Sequence, residues 1–349
     1  MQASAPNPAA DFDPNAAELP RRLAQWLSAQ WHAPVEVLEW RRFPVGMSWV
    51  TIGFAASVAG RREELILRLG DPQGLFGPYR TEPEFLALTA LAQASDVPIP
   101  RVRARSDDTA ILGAPFIVTE RVDGDTPTPW NGAASKVESE RVSLAREFSD
   151  VLGSLHAFDW RSTPLAAWAS HLRADNVART EIRKWALETG YPSLALPPAM
   201  HYAMRWLEAH APASRDIVLV HGDYRVGNFL RKGAHITAIL DWELVHLGDP
   251  HEDLAWAGLR AFSAGSGRIG GFIERAEFHE RYTARSGIAV DTARLKYFEV
   301  LMLFKSAAML LGAQRRAEQG RARDVRMAAM GFQLAPTLVE VLRAIEEAS

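Results

Sequence analysis

From 19 to 31 the apolar and polar positions follow the period of an amphipathic helix, and from 35 to 69 the pattern changes to that of strands. Three strands are predicted, over 35–40, 49–58 and 65–69, with Gly46 and Gly60 at the turns between them. Residues 81–94 read as a helix, and 99–104 and 115–122 as two further strands. Turn-forming residues over 121–127 close this part. The pattern is then helical over 142–158 and 197–210, returns to strands at 217–220 and 236–240, and is helical through the last third. The longest apolar stretch, 295–311, contains Lys296, Glu299 and Lys305, so it reads as a buried helix rather than a membrane span. No internal repeat or low-complexity block interrupts the chain.

Composition narrows the class. A chain of 349 residues with 48% hydrophobic content buries a large core and suits two lobes better than one. The expected division is a loose N-terminal tail over 1–17, one lobe over 18–122 and a larger lobe over 123–349. A formal charge of −3 offers no basic field for nucleic acid. With no cysteine there is no disulfide framework, zinc thiolate site or cysteine nucleophile. The first fifteen residues have neither a basic nor an apolar leader segment, so a soluble cytoplasmic protein is the expectation.

Chemistry concentrates at 217–256. The apolar run 217–220 leads into His221-Gly222-Asp223-Tyr224-Arg225-Val226-Gly227-Asn228, and the run 236–240 leads into Asp241-Trp242-Glu243. Asp223 and Asn228 stand five positions apart, the interval at which a kinase catalytic loop carries the residue that takes the attacking hydroxyl's proton and an amide that ligates a metal ion. Asp241 stands where the second metal-binding carboxylate follows on a later strand. The compound pattern predicts a phosphoryl-transfer site at the ends of two neighbouring strands, with Asp223 as the catalytic group and Asn228 and Asp241 as Mg²⁺ ligands. His221 reads as a brace for the loop.

On these residues, and on Asp241-Trp242-Glu243-Leu244-Val245-His246-Leu247-Gly248-Asp249-Pro250, the stretch from about 40 to 312 resembles the aminoglycoside phosphotransferase and choline kinase superfamily. Within it, the chain resembles the branch that includes the kinase portions of acyl-CoA dehydrogenase fusion proteins. The resemblance implies an α+β, two-lobed, protein-kinase-like fold: a small, mostly antiparallel N-lobe with one inserted helix, and a larger, mainly helical C-lobe. It implies ATP or GTP as donor and the hydroxyl of a small molecule as acceptor.

By the same resemblance, Arg68 takes the place of the third-strand lysine that pairs the nucleotide phosphates, and Glu84 is its partner from the inserted helix. The alternatives are a solvated strand arginine and a capping box of Thr81 with Glu84, and Glu82 competes for either role. Gly46 and Ser48 are placed to cradle phosphate, or to form an ordinary hairpin turn, in a loop where Val45 and Trp49 depart from the related families. Glu120 and Val122 are the candidates for contact with the base, the alternative being a plain strand end. Asp249, Glu252 and Asp253 read as structural, with Asp249 capping a helix.

Three patterns carry no function on this reading. The glycines at 265, 267 and 270 follow a helix and open no βαβ unit; no P-loop motif occurs; His246, His251 and Glu252 match no zinc spacing. The short distance from Asp241 to the next helix leaves no activation segment for a protein substrate. From 255 to 349 there are 14 basic and 10 acidic residues, a balance that favours a neutral or anionic acceptor such as a hydroxy acid or hydroxyacyl thioester over a polycationic aminoglycoside. An aminoglycoside kinase and a nucleotide-binding pseudokinase without turnover stay open as alternatives.

Overall fold

The computed structural model describes residues 12–44, 46–128, 137–322 and 324–349. In chain order the first elements are α1 (Leu19–Trp31), β1 (Val35–Phe43), β2 (Trp49–Val58), β3 (Arg61–Gly70), α2 (Glu82–Ala94), β4 (Val102–Ser106), α3 (Thr109–Leu112) and β5 (Phe116–Glu120). There follow α4 (Glu138–Ala157), α5 (Val177–Glu188), α6 (Pro198–His210), β6 (Val218–Val220), β7 (Phe229–Lys232), β8 (His235–Ile239) and β9 (His246–Gly248). The last are α7 (His251–Ala257), α8 (Arg275–Ser286), α9 (Thr292–Glu318), α10 (Val325–Met330) and α11 (Leu334–Ala348). Two compact units result. One comprises the chain up to Phe85 with Pro100–Arg121 and Ala313–Gly331; the other comprises Leu86–Ile99, Val122–Gly312 and Phe332–Ser349.

The first unit is built on one antiparallel sheet of order β1-β2-β3-β5-β4. Leu19, Leu23 and Leu27 recur every four residues, line one face of α1 and are buried with Ile52, Phe54, Leu65, Leu67, Leu69, Phe116 and Val118. Along β3 the two-residue period turns Leu65, Leu67 and Leu69 into this core and Arg68 to the other face. The β2–β3 turn has positive φ at Ala59 (48°) and Gly60 (84°), the combination a two-residue hairpin loop uses to match strand twist. The strand expected over 99–104 is shifted to β4, because Pro98 and Pro100 carry no N–H for a ladder. Phe12, in the stretch read as a loose tail, is buried in this core, whereas residues 1–11 of that stretch lie outside the described residues.

In the second unit α4 packs along α8, and four short strands form two separate ladders, β6 with β9 and β7 with β8. The expectation that the strands before Asp223 and Asp241 are neighbours is therefore corrected. The strand before Asp223 is β6 and that before Asp241 is β8, and each pairs with a strand too short to leave a hydrophobic period. The helical stretch Val325–Ala348 alone among the described residues has the length and apolar content of a membrane span, and it is divided into α10, a 3₁₀ turn and α11.

Candidate active site

The β6 strand delivers its chain into the loop 221–228. Gly222 adopts φ of +84°, and a Cβ there would stand 2.7 Å from the Leu244 carbonyl oxygen, so neither the backbone nor the space admits the arginine a protein kinase carries at this point. The next residue, Asp223, is nearly enclosed. Its Oδ1 accepts from Arg225 Nε (2.9 Å) and from the indole Nε1 of Trp256 (2.6 Å), and its Oδ2 accepts from Asn228 Nδ2 (2.5 Å). Asn228 Nδ2 also donates to the Asp223 carbonyl (2.9 Å). With its amide nitrogen engaged twice, Asn228 presents Oδ1, the hard oxygen that a Mg²⁺ ion takes.

Asp241 is tied to the same place through the backbone and through His221. Leu240 N–H donates to the Asn228 carbonyl at 2.8 Å. His221 is fully buried. Its Nδ1 accepts the Asp223 N–H (3.0 Å), which leaves the proton on Nε2 to be donated to the Leu240 carbonyl (2.9 Å). Burial holds the His221 pKa below its usual value against the pull of Asp253, Asp223 and Asp241, so the ring is a neutral clamp between the segments that carry the two candidate carboxylates. Asp241 itself has φ of 67° and ψ of 58°, a left-handed conformation uncommon outside glycine and concentrated where function holds it in place.

A second clamp was legible only as a helix-start acid. Asp253, in the first turn of α7 and fully buried, accepts from the backbone N–H of His221 (2.7 Å) and of Gly222 (2.9 Å), and meets His156 Nε2 at 3.2 Å. Burial alone would raise its pKa, but the His156 hydrogen bond and charge, together with His221, outweigh it and hold the carboxyl below its ordinary range. Asp249 Oδ1 accepts the His251 N–H (3.0 Å), as a capping residue does.

In the other unit Arg68 Nη1 meets Glu84 Oε1 at 2.7 Å, and the guanidinium lies 5.2 Å from the centroid of the Trp49 ring. Arg68 is thus not a solvated strand arginine. Glu84 is buried whereas Glu82 is exposed, and the Thr81 hydroxyl donates to Asp107 (2.9 Å). Gly46 has φ of 75° and Ser48 is buried; both line a cavity of about 370 Å³ with Asp71, Gln73 and Arg326. Val45, which also departs from the family pattern, lies outside the described residues. The Glu120 N–H donates to Arg101 O and the Arg121 N–H to Glu64 O.

A profile of the phosphotransferase enzyme family matches residues 54–298. The chain belongs to this family. Acyl-CoA dehydrogenase family member 10 of Mus musculus is 30% identical over 279 residues, covering 74% of this phosphotransferase and 25% of the mouse protein. The chain spans between a quarter and a third of the length of such relatives. Among solved structures, a Ralstonia eutropha protein assigned to the aminoglycoside phosphotransferases superposes with a TM-score of 0.71 at 23% identity, covering 94% of this chain and 98% of that one. An aminoglycoside phosphotransferase solved with GDP and kanamycin gives 0.56 at 17%, covering 93% and 97%. The fold of this phosphotransferase is therefore kinase-like α+β, with a strand-rich and a helical unit.

One buried cluster of the phosphotransferase lies away from the loop. His246 donates from Nδ1 to Leu244 O (2.8 Å), while its Nε2 stands 3.1 Å from Glu252 and 3.5 Å from Glu181, all three donor atoms lying within 4.8 Å of one another. Glu181 from α5, rather than His251, completes the group that sequence spacing left without a partner set. Burial works against charge on Glu181 and His246, but their mutual attraction, with Lys184 and Lys305 acting on Glu181, holds Glu181 down to about 2 and His246 above its usual value. These directions are those of an ion-paired cluster.

Proposed function

We propose that the protein transfers the γ-phosphate of ATP or GTP to a hydroxyl of a small hydroxy acid or hydroxyacyl thioester. The observation that carries the reading is the enclosed Asp223 carboxylate, held by Asn228 on one oxygen and by Arg225 and Trp256 on the other. In this reading Asp223 takes the proton of the acceptor hydroxyl as its oxygen bonds to the γ-phosphorus, the bond to the β-phosphate oxygen breaks, and a nucleoside diphosphate leaves. Asn228 and Asp241 would hold Mg²⁺, and their oxygen donors fit it; the ion supplies charge neutralisation on the phosphates. Arg68, positioned by Glu84, would pair the phosphates, Gly46 and Ser48 would line them, and Glu120 and Val122 would contact the base.

The acceptor class follows from charge. Arg225 lies 2.9 Å from Asp223 and 5.2 Å from the Phe262 ring, so a cation and an apolar face meet where the acceptor hydroxyl arrives. With Arg225 paired to Asp223, the cation and the apolar face suit an anionic group on a carbon chain better than a polycation. The relatives named for acyl-CoA dehydrogenases support the same class, and the aminoglycoside kinases of the same fold are the competing one.

A panel of hydroxy acids, hydroxyacyl-coenzyme A thioesters and aminoglycosides, incubated with Mg·ATP or Mg·GTP and read by mass spectrometry, tests it. Phosphorylated products are expected from members of the first two classes. Turnover restricted to aminoglycosides overturns the acceptor assignment.

A further inference from the structure

Lys305 lies inside α9 with 2% of its surface exposed. Its ammonium sits 4.3 Å from the centroid of the Trp256 ring and 5.1 Å from that of Trp185, and it donates to the Gly222 carbonyl. Among the described residues no carboxylate stands within ion-pair distance of it. An apolar side chain would fill the space between two indoles without removing a charge from water, so packing does not account for lysine here.

Both contacts lead to Asp223. Gly222 is the residue before it, and the Trp256 indole that Lys305 covers donates to Asp223 Oδ1. We infer that Lys305 is a positioning residue for phosphoryl transfer, its ammonium fixing the Gly222 carbonyl and the Trp256 indole so that the Asp223 carboxylate is held, charged and oriented, where the acceptor hydroxyl arrives. The inference rests on the assignment of Asp223 made above.

The surroundings are electrostatically mixed. Burial pushes the Lys305 pKa down; Asp223 on the loop pulls it up, Lys184 on α5 opposes, and Glu181 on α5 and Asp253 on α7 pull it up again. A lysine in this setting loses its charge at a lower pH than an arginine would.

The test compares Lys305→Met, Lys305→Arg and Asp223→Asn for phosphate release from Mg·ATP, to water and to any acceptor found by the panel, with thermal unfolding of each variant. Lys305→Met is expected to lower kcat on the order of 10–100-fold while KM for the nucleotide stays within about threefold. Lys305→Arg is expected to recover much of the loss and to move the alkaline decline of kcat to higher pH. A merely structural lysine gives the opposite ranking, because methionine matches the volume of its stem and arginine exceeds it. Wild-type kcat in Lys305→Met, beside an inactive Asp223→Asn, overturns this inference alone. Undiminished turnover in Asp223→Asn, or no phosphate release by the wild type, overturns the functional reading and this inference with it. Should Lys305→Met fail to fold, Lys305→Arg decides: an unshifted alkaline decline overturns the proposal.

Discussion

Asp223→Asn is expected to lower kcat by about 10²–10⁴-fold, the range that positioned proton-transfer groups contribute, with the fold intact and nucleotide affinity little changed. The variant is nearly isosteric. Its amide oxygen still accepts from Trp256 and Arg225, which meet Oδ1 in the wild type, so the loop keeps those hydrogen bonds. What is removed is the negative charge, the capacity to take a proton, and the hydrogen bond from Asn228 Nδ2, which an amide nitrogen in the place of Oδ2 cannot accept. Steady-state kinetics on the acceptor found by the panel, with circular dichroism as a control, measures the effect. A variant that turns over at the wild-type rate means that the acceptor hydroxyl is deprotonated elsewhere, and the role given to Asp223 is then wrong.

Asp253→Ala is expected to cost roughly 3–5 kcal/mol of stability, the penalty for removing one partner from a buried, hydrogen-bonded charge cluster. The substitution strands two backbone N–H groups, those of His221 and Gly222, and the Nε2 of His156, none of which water reaches. The freed amides belong to the two residues that lead into Asp223, so kcat falls as well, and the loss of stability separates this variant from Asp223→Asn. Urea unfolding followed by tryptophan fluorescence measures the difference. An unchanged midpoint in Asp253→Ala contradicts the structural role given to this carboxylate.

The parts of the site legible in the sequence are those whose geometry is local. The five-residue interval from Asp223 to Asn228 is closed by a hydrogen bond within the loop itself, so spacing alone announces it. The five-stranded sheet was legible because β2 and β3 are long enough to show their period and are joined by a two-residue turn. The pairing of β6 with β9 was not, since three-residue strands meeting across more than twenty intervening residues leave no periodic trace. The link of Trp256 and of Lys305 to Asp223 was not legible for the same reason. Both read as ordinary positions on core helices, and only the fold brings them to Asp223, 33 residues from one and, through Gly222, 83 residues from the other. Arg68 is intermediate: its strand phase was readable, but the choice of Glu84 over Glu82 depended on which acid the first turn of α2 buries.

The account stands on Asn228 and Asp241 jointly organising a divalent cation beside Asp223. A crystal structure of the protein with Mn²⁺ and a non-hydrolysable ATP analogue, with the ion located by its anomalous signal, tests this most directly. The account predicts one ion bonded at about 2.1 Å to both Asn228 Oδ1 and the Asp241 carboxylate and to the nucleotide phosphates. An ion and nucleotide bound with neither side chain in the coordination shell would contradict it.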